Sequence, residues 1–267
     1  MVPVTGEGVL TVKGATIVLG GMLVAVASLI LLHLQDEGPA LLASASELER
    51  EAQKFLDERD ALKRDLQDCL ERDERRLALI DANRTMREAL EQFLLDADAK
   101  VPETVEGMLD AAGRFINRSI GFEQGEAWLI SVFQVQGDQL VRVASRRANR
   151  LDEKPDGRSW KQNEGFVGVA WAQKRDVIIH DGTLQDIVAD YPVPHEKARD
   201  YDAVRYRSLA AIPVRLGDPA EIWGVIAAST DRADRFRRDP DNRQVQSVDT
   251  VRLIARMTAL MAAAFRR

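Results

Sequence analysis

Apolar and polar positions follow three rhythms along this chain. From Gly14 to Gln35 no side chain is charged, and most positions are Val, Leu, Ile, Ala or Gly. These 22 residues, as a helix, would extend about 33 Å at roughly 1.5 Å per residue, enough for a hydrocarbon core of about 30 Å. The run is too long for the apolar core of a usual signal peptide. Asp36-Glu37-Gly38-Pro39 also separates it from the small residues Ala43-Ser44-Ala45. An uncleaved single span is therefore expected over 14–35, after a short tail, 1–13. Lys13 on one side and Arg50 and Lys54 on the other give a small bias toward a cytoplasmic C-terminal region at the inner membrane.

The second rhythm is heptad. Between Pro39 and Ala97 the sequence is charged and helix-forming. Leu41, Leu48, Phe55, Leu62 and Cys69 recur every seven residues, with Ala45, Ala52 and Leu66 between them and Arg59 breaking that second row. Leu79, Asn83, Met86, Leu90, Phe93 and Ala97 resume the pattern in a shifted frame. A parallel, dimeric coiled-coil stalk over 40–97 is the expectation. The alternative is an amphipathic helix packed on its own domain, which suits the first half of so long a helix poorly.

The third rhythm is mixed and begins near Asp98. Val101–Ser119 is expected to form a helix, with Val105, Leu109, Ala112 and Ile116 on one face. Strands are expected at 127–135 and 139–144, a short apolar helix at 165–173 and a strand at 176–180. Two further strands, 208–216 and 222–230, flank Gly217-Asp218-Pro219, and a helix over 243–265 closes the order. Neither strand of that last hairpin alternates. Leu209, Ala211, Val214, Val225 and Ala227 are expected on one face and Ala210, Ile212, Ile222, Ile226 and Ala228 on the other, yet both sets are apolar. Antiparallel sheets usually show water a polar face. The terminal helices can cover one face, so the stretch 151–205 must cover the other, and an irregular cover over an apolar sheet is where pockets form. The fold class expected is α+β, an antiparallel sheet flanked by helices, preceded by a transmembrane helix and a long coiled-coil helix.

Charge and chemistry narrow the function. The net charge is −6 with Arg and Asp interleaved, as in RADRFRRDPDNR, which speaks against a nucleic-acid surface. The one cysteine, Cys69, cannot form an intrachain disulfide. No nucleophile–base pair, metal spacing, Walker loop or Gly-rich dinucleotide turn stands out, so no enzyme is expected. His180 and His195 are the only histidines after the stalk. All three tyrosines, Tyr191, Tyr201 and Tyr206, fall in the cover and alternate with Arg199, Arg205 and Arg207. Aromatic faces with guanidinium forks suit a planar or anionic ligand. The ligand-binding set expected is Tyr191, His195, Tyr201, Arg205, Tyr206 and Arg207; the plainer alternative has the tyrosines anchoring the cover while the arginines pair with nearby aspartates.

Residues 164–181, EGFVGVAWAQKRDVIIHD, together with RSLAAIPV at 207–214 and WGVIAAS at 223–229, resemble the Gly-x-x-Gly-x-Ala helix and paired central strands of GAF domains. The resemblance covers about residues 98–267. It implies a sensory module that binds a small molecule, or only dimerises, and signals through flanking helices. The cyclic-nucleotide signature of some members is missing, and bilin-binding and methionine-sulfoxide-reducing members need cysteines that this region lacks. The ligand and any cofactor are therefore left unknown. The expectation is a membrane-anchored homodimer, joined through the coiled coil and flanking helices, with a small-molecule ligand. Because the chain ends two residues after Phe265, its signal is expected to pass to a separate protein effector. The alternative is a tethered scaffold that binds only protein.

Overall fold

The computed structural model describes residues 7–33, 38–96, 98–148, 157–183, 187, 189–199, 202, 206–217, 221–237 and 245–266. The chain divides into two compact units, Met1–Asp68 and Cys69–Arg267.

In the first unit, α1 runs Glu7–His33, 27 residues of continuous helix. Its described side chains are Gly14 and 16–30, and all but one of them are exposed. Among the described residues no helix is long and apolar enough to cross a membrane. The helix α2, Gly38–Leu94, is 57 residues long, and every side chain from Leu42 to Glu74 is exposed. Leu48, Phe55 and Leu62, on the first heptad row, are 66–68% exposed.

The second unit contains the end of α2, and there the shifted heptad frame turns inward on its own domain. Ala82, Met86 and Leu90 join the core beside Val105, Met108, Ile116, Val251 and Met261. The packed-helix alternative therefore describes this half of α2, whereas Asn83, expected on a seam, is exposed. The helix expected over 101–119 is two helices, α3 (Val101–Ala111) and α4 (Gly113–Ile120). Ala112, at φ −86° and ψ −1°, forms the joint, and the bend lets Val105, Met108, Ala112, Ile116 and Ile120 all reach full burial.

The sheet has five antiparallel strands, β1 (Trp128–Gln136), β2 (Gln139–Arg147), β3 (Val177–Ile179), β4 (Ser208–Leu216) and β5 (Glu221–Thr230), in the order β2-β1-β5-β4-β3. The short helix α5, Gly165–Gln173, is buried nearly all round, as its uniformly apolar sequence requires. The last helix, α6 (Ser247–Phe265), starts from a reciprocal capping box between Gln246 and Asp249.

Both faces of the sheet are covered. Ile130, Val132, Ala210, Ile212, Val214, Ile226 and Ala228 pack under the α2 end, α3, α4 and α6. Phe133, Leu140, Ala211, Ile222, Val225 and Ala227 pack under α5, Trp160 and Trp171. Val214 and Ile222 thus sit on the faces opposite to those expected. Val214 simply alternates with Ala210 and Ile212. Ile222 is displaced by a bulge: Val214 pairs with Gly224 and Arg215 with Ile222, leaving Trp223 unpaired. A bulge reverses alternation beyond it. A second one, where Val132 pairs with Ala144 and Phe133 with Arg142, brings Arg142 to the α5 side. On α6 the expected stripe is buried at Val248, Val251, Ile254, Met257 and Met261, but Leu260 is 57% exposed.

Candidate functional site

Between the α5 side of the sheet and the residues that cover it lies a cavity of about 290 Å³, at the lower end of the roughly 300–1,000 Å³ usual for small-molecule pockets. Its floor is sheet: Leu129, Ser131 and Phe133 of β1, Arg142 of β2, Leu209 of β4, and Ala227 and Ser229 of β5. Arg158, Trp160 and the start of α5 (Gly165, Phe166, Val167) form its side, and Ile187, Tyr191, Val193, His195, Ala198, Arg199, Asp202 and Tyr206 its cover. Apolar and aromatic surface dominates. Ser131 and Ser229 place buried hydroxyls on the floor.

Two sets of polar contacts hold the cover. Trp160 pairs with Leu140 of β2 through both backbone bonds, Leu140 N to Trp160 O at 2.7 Å and Trp160 N to Leu140 O at 3.0 Å. This fixes Arg158 at the cavity's edge, where its Nη1 and Nη2 donate to the two carboxylate oxygens of Asp202 at 2.8 and 3.0 Å. The same guanidinium donates to the Tyr206 hydroxyl at 3.0 Å and to the Lys197 carbonyl at 3.1 Å. The second tie is an ion pair between Lys197 and Glu164. Glu164 immediately precedes α5, and its carboxylate also accepts the Lys161 N–H at 2.8 Å. Next to it the Gly165 N–H donates to the Pro192 carbonyl at 2.8 Å.

The motif helix shows why a glycine is needed beside this tie. A Cβ on Gly168 would lie 2.1 Å from the Lys161 carbonyl oxygen. The backbone approach that presents Lys161 to Glu164 is open only to a residue without a side chain.

Burial raises the Glu164 carboxyl, but the Lys161 N–H and the Lys197 ammonium outweigh it, so its pKa lies below the ordinary glutamate value. A depressed folded-state pKa gives stability that is present above the unfolded value and is lost as pH falls through the folded one. Wild type should therefore lose thermal stability between about pH 5 and pH 3, around the ordinary glutamate pKa of about 4.3, more steeply than Glu164→Gln. Parallel slopes in melts of the two proteins would show that the pair does not contribute.

Of the residues expected to bind ligand, Tyr191, His195 and Tyr206 line the cavity. Tyr201 and Arg205 lie outside the described residues. Arg207 does not line the cavity: it is exposed, its Nε donates to Asp181 at 2.7 Å, and it holds that carboxyl below its ordinary pKa. Arg158, Arg142 and Trp160 were not anticipated, because nothing local marks them as partners of the cover. Asp202, one of the aspartates that the plainer alternative pairs with the cover's arginines, is held by Arg158 from outside the cover. His180 is exposed away from the cavity, and among the described residues no group of three or more His, Cys, Asp or Glu could hold a metal ion. Cys69 is exposed on α2.

No family model matches the chain, and no curated protein matches it. Solved structures similar to it include GAF-domain proteins. A GAF sensor protein from Burkholderia vietnamiensis is 15% identical over 71% of this chain and 99% of its own, with a TM-score of 0.47. The nlh2 GAF domain of A. aeolicus, in an inactive state, is 16% identical over 72% of this chain and 99% of its own, with a TM-score of 0.45. The free methionine-R-sulfoxide reductase of Neisseria meningitidis, in complex with its substrate, is 17% identical over 70% and 93%, with a TM-score of 0.41. At such identities the likeness is one of fold, and no residue role is carried over.

Proposed function

We propose that this chain is a membrane-anchored, dimeric sensory or regulatory protein whose GAF-like domain binds a small molecule and relays its state to a separate protein effector. The observation that carries the reading is the cavity. A sheet face used only for packing would be filled to interior density, whereas here Phe133, Trp160, Phe166 and Tyr191 border about 290 Å³ of space over two serine hydroxyls. Tyr191, His195 and Tyr206, with Arg142 and Arg158, are the proposed ligand contacts. Tyr201 and Arg205 stay in the proposal on their sequence alone.

Anchoring is supported by the uncharged run 14–35 and by the helix Glu7–His33, which takes in most of it and whose exposed Ile17, Leu19, Leu23 and Ile30 a bilayer would cover. Dimerisation is supported by the exposed heptad row Leu48, Phe55 and Leu62, which a second copy would cover. The domain would lie on the cytoplasmic side of the inner membrane. Ligand binding would bias the packing of α3, α4 and α6, a population shift. The exposed Leu260 on α6 favours the second reading, a tether whose domain binds only protein.

Native mass spectrometry of the full chain, extracted in detergent from its source, tests both. A dimer mass with a retained small molecule is expected. Ala227→Phe, which fills the cavity floor, should remove that molecule at an overpacking cost of about 1–3 kcal/mol. An empty chain with no thermal shift across a metabolite panel would leave the scaffold reading.

A further inference from the structure

We infer that the ligand is a small organic carboxylate on an apolar or aromatic body, and that Asp202 is a stand-in for its carboxylate, supplied by the chain itself. The inference rests on the ligand-binding reading above and names the chemistry of that same cavity.

The Arg158 side chain is only 10% exposed and Asp202 only 13%. Between them is the two-pronged, planar arrangement that a guanidinium makes with any carboxylate. The Arg158 guanidinium carbon also lies 5.6 Å from the Trp160 ring centre and 5.9 Å from that of Tyr206, so an aromatic body held near the fork would meet ring faces.

The two partners stand on different parts of the fold. Arg158 is two residues from Trp160, which is paired to β2. Asp202 belongs to the cover, where its Oδ2 also accepts the Arg199 N–H at 3.1 Å. A ligand carboxylate that took over the fork would leave the guanidinium satisfied and cut one of the two ties that hold the cover. Binding and the signal would then be one exchange of partners, with no buried charge left bare.

The test is calorimetric titration of the full chain in detergent with benzoate and 3-phenylpropionate, each against its uncharged primary amide. Removing the internal competitor in Asp202→Asn should tighten acid binding by about tenfold or more, as expected when the competent state is a minority. The amides should be unaffected. Arg158→Lys, which cannot form the fork, should abolish acid binding. Should Asp202→Asn fail to fold, Asp202→Ser, which also removes the competing carboxylate, should tighten acid binding in the same direction. Equal binding of acid and amide, no tightening in either variant, or no acid binding at all would overturn the inference. If native mass spectrometry still finds a retained molecule, the cavity's role as a binding site stands without its anion chemistry. If it finds none, both readings fall.

Discussion

Glu126→Ala is expected to destabilise the C-terminal unit by about 3–5 kcal/mol, the range for removing one partner of a buried ion pair. Glu126 is buried to 1% exposure, and its carboxylate is met from several sides. Arg235 donates through Nε at 3.1 Å and Nη2 at 2.7 Å, the Glu123 N–H at 2.9 Å, and the Thr230 hydroxyl also donates to it. The Arg235 side chain is 13% exposed, and its remaining carboxylate partner, Glu123, is largely in solvent. Alanine would thus leave a mostly buried cation without its inner partner. The double variant Glu126→Ala/Arg235→Ala should recover part of the loss, because the uncompensated charge goes with it. Urea unfolding of the four proteins closes the cycle; a single-variant loss under about 1 kcal/mol would place this pair with weakly coupled surface pairs.

That cluster also reaches the candidate site. It fastens the start of β1 to the end of β5, where the Ala127 N–H donates to Asp231 at 2.9 Å and Asp231 returns its own N–H to the Ala127 carbonyl at 3.0 Å. Two residues inward, Leu129 and Ser229 are paired partners that both line the cavity. Glu126→Gln keeps acceptor capacity and loses the charge. It should preserve the pairing while weakening the Arg235 contact, so its stability should fall between wild type and alanine.

The elements were legible wherever local signals were strong. The bounds of α5 follow from one apolar run between Glu164 and Lys174, and both hairpins from turn residues set between apolar strands. The two-faced burial was legible too, since neither β4 nor β5 spares a polar face. The two bulges were not. An unpaired Trp223 or Val143 has no signature of its own, and each decides which side chains look into the cavity. The halves of the heptad helix read alike, yet Met86 and Leu90 are claimed by the domain core while Leu48 and Phe55 remain exposed; that choice depends on tertiary surface absent from the local pattern. The cover's tyrosines were legible as a cluster. Their electrostatic partner was not, because Arg158 lies 44 residues before Asp202, in a polar stretch with no periodicity.

Gly224→Ala should be as damaging as the loss of Glu126, and for a steric reason that no side-chain rearrangement can relieve. A Cβ at position 224 would stand 2.0 Å from the Phe133 carbonyl oxygen and 3.1 Å from its carbon. Both are backbone atoms of the neighbouring strand, where Gln134 pairs with Gly224. The clash can ease only if β1 and β5 part beside the Trp223 bulge, breaking pairing at the centre of the sheet. A loss of about 3 kcal/mol or more is expected, at the upper end of single substitutions. Ile226→Val, an ordinary trim on the same strand, should cost only about 0.5–1.5 kcal/mol. Phe133 lines the cavity on the same stretch of β1, so Gly224→Ala should also weaken small-molecule retention at temperatures where the domain is still folded, whereas Ile226→Val, whose side chain faces the helices, should leave retention intact. A Gly224→Ala protein as stable as Ile226→Val would mean that the two strands can separate locally without cost. The close approach at this bulge would then not be what holds the cavity floor in place.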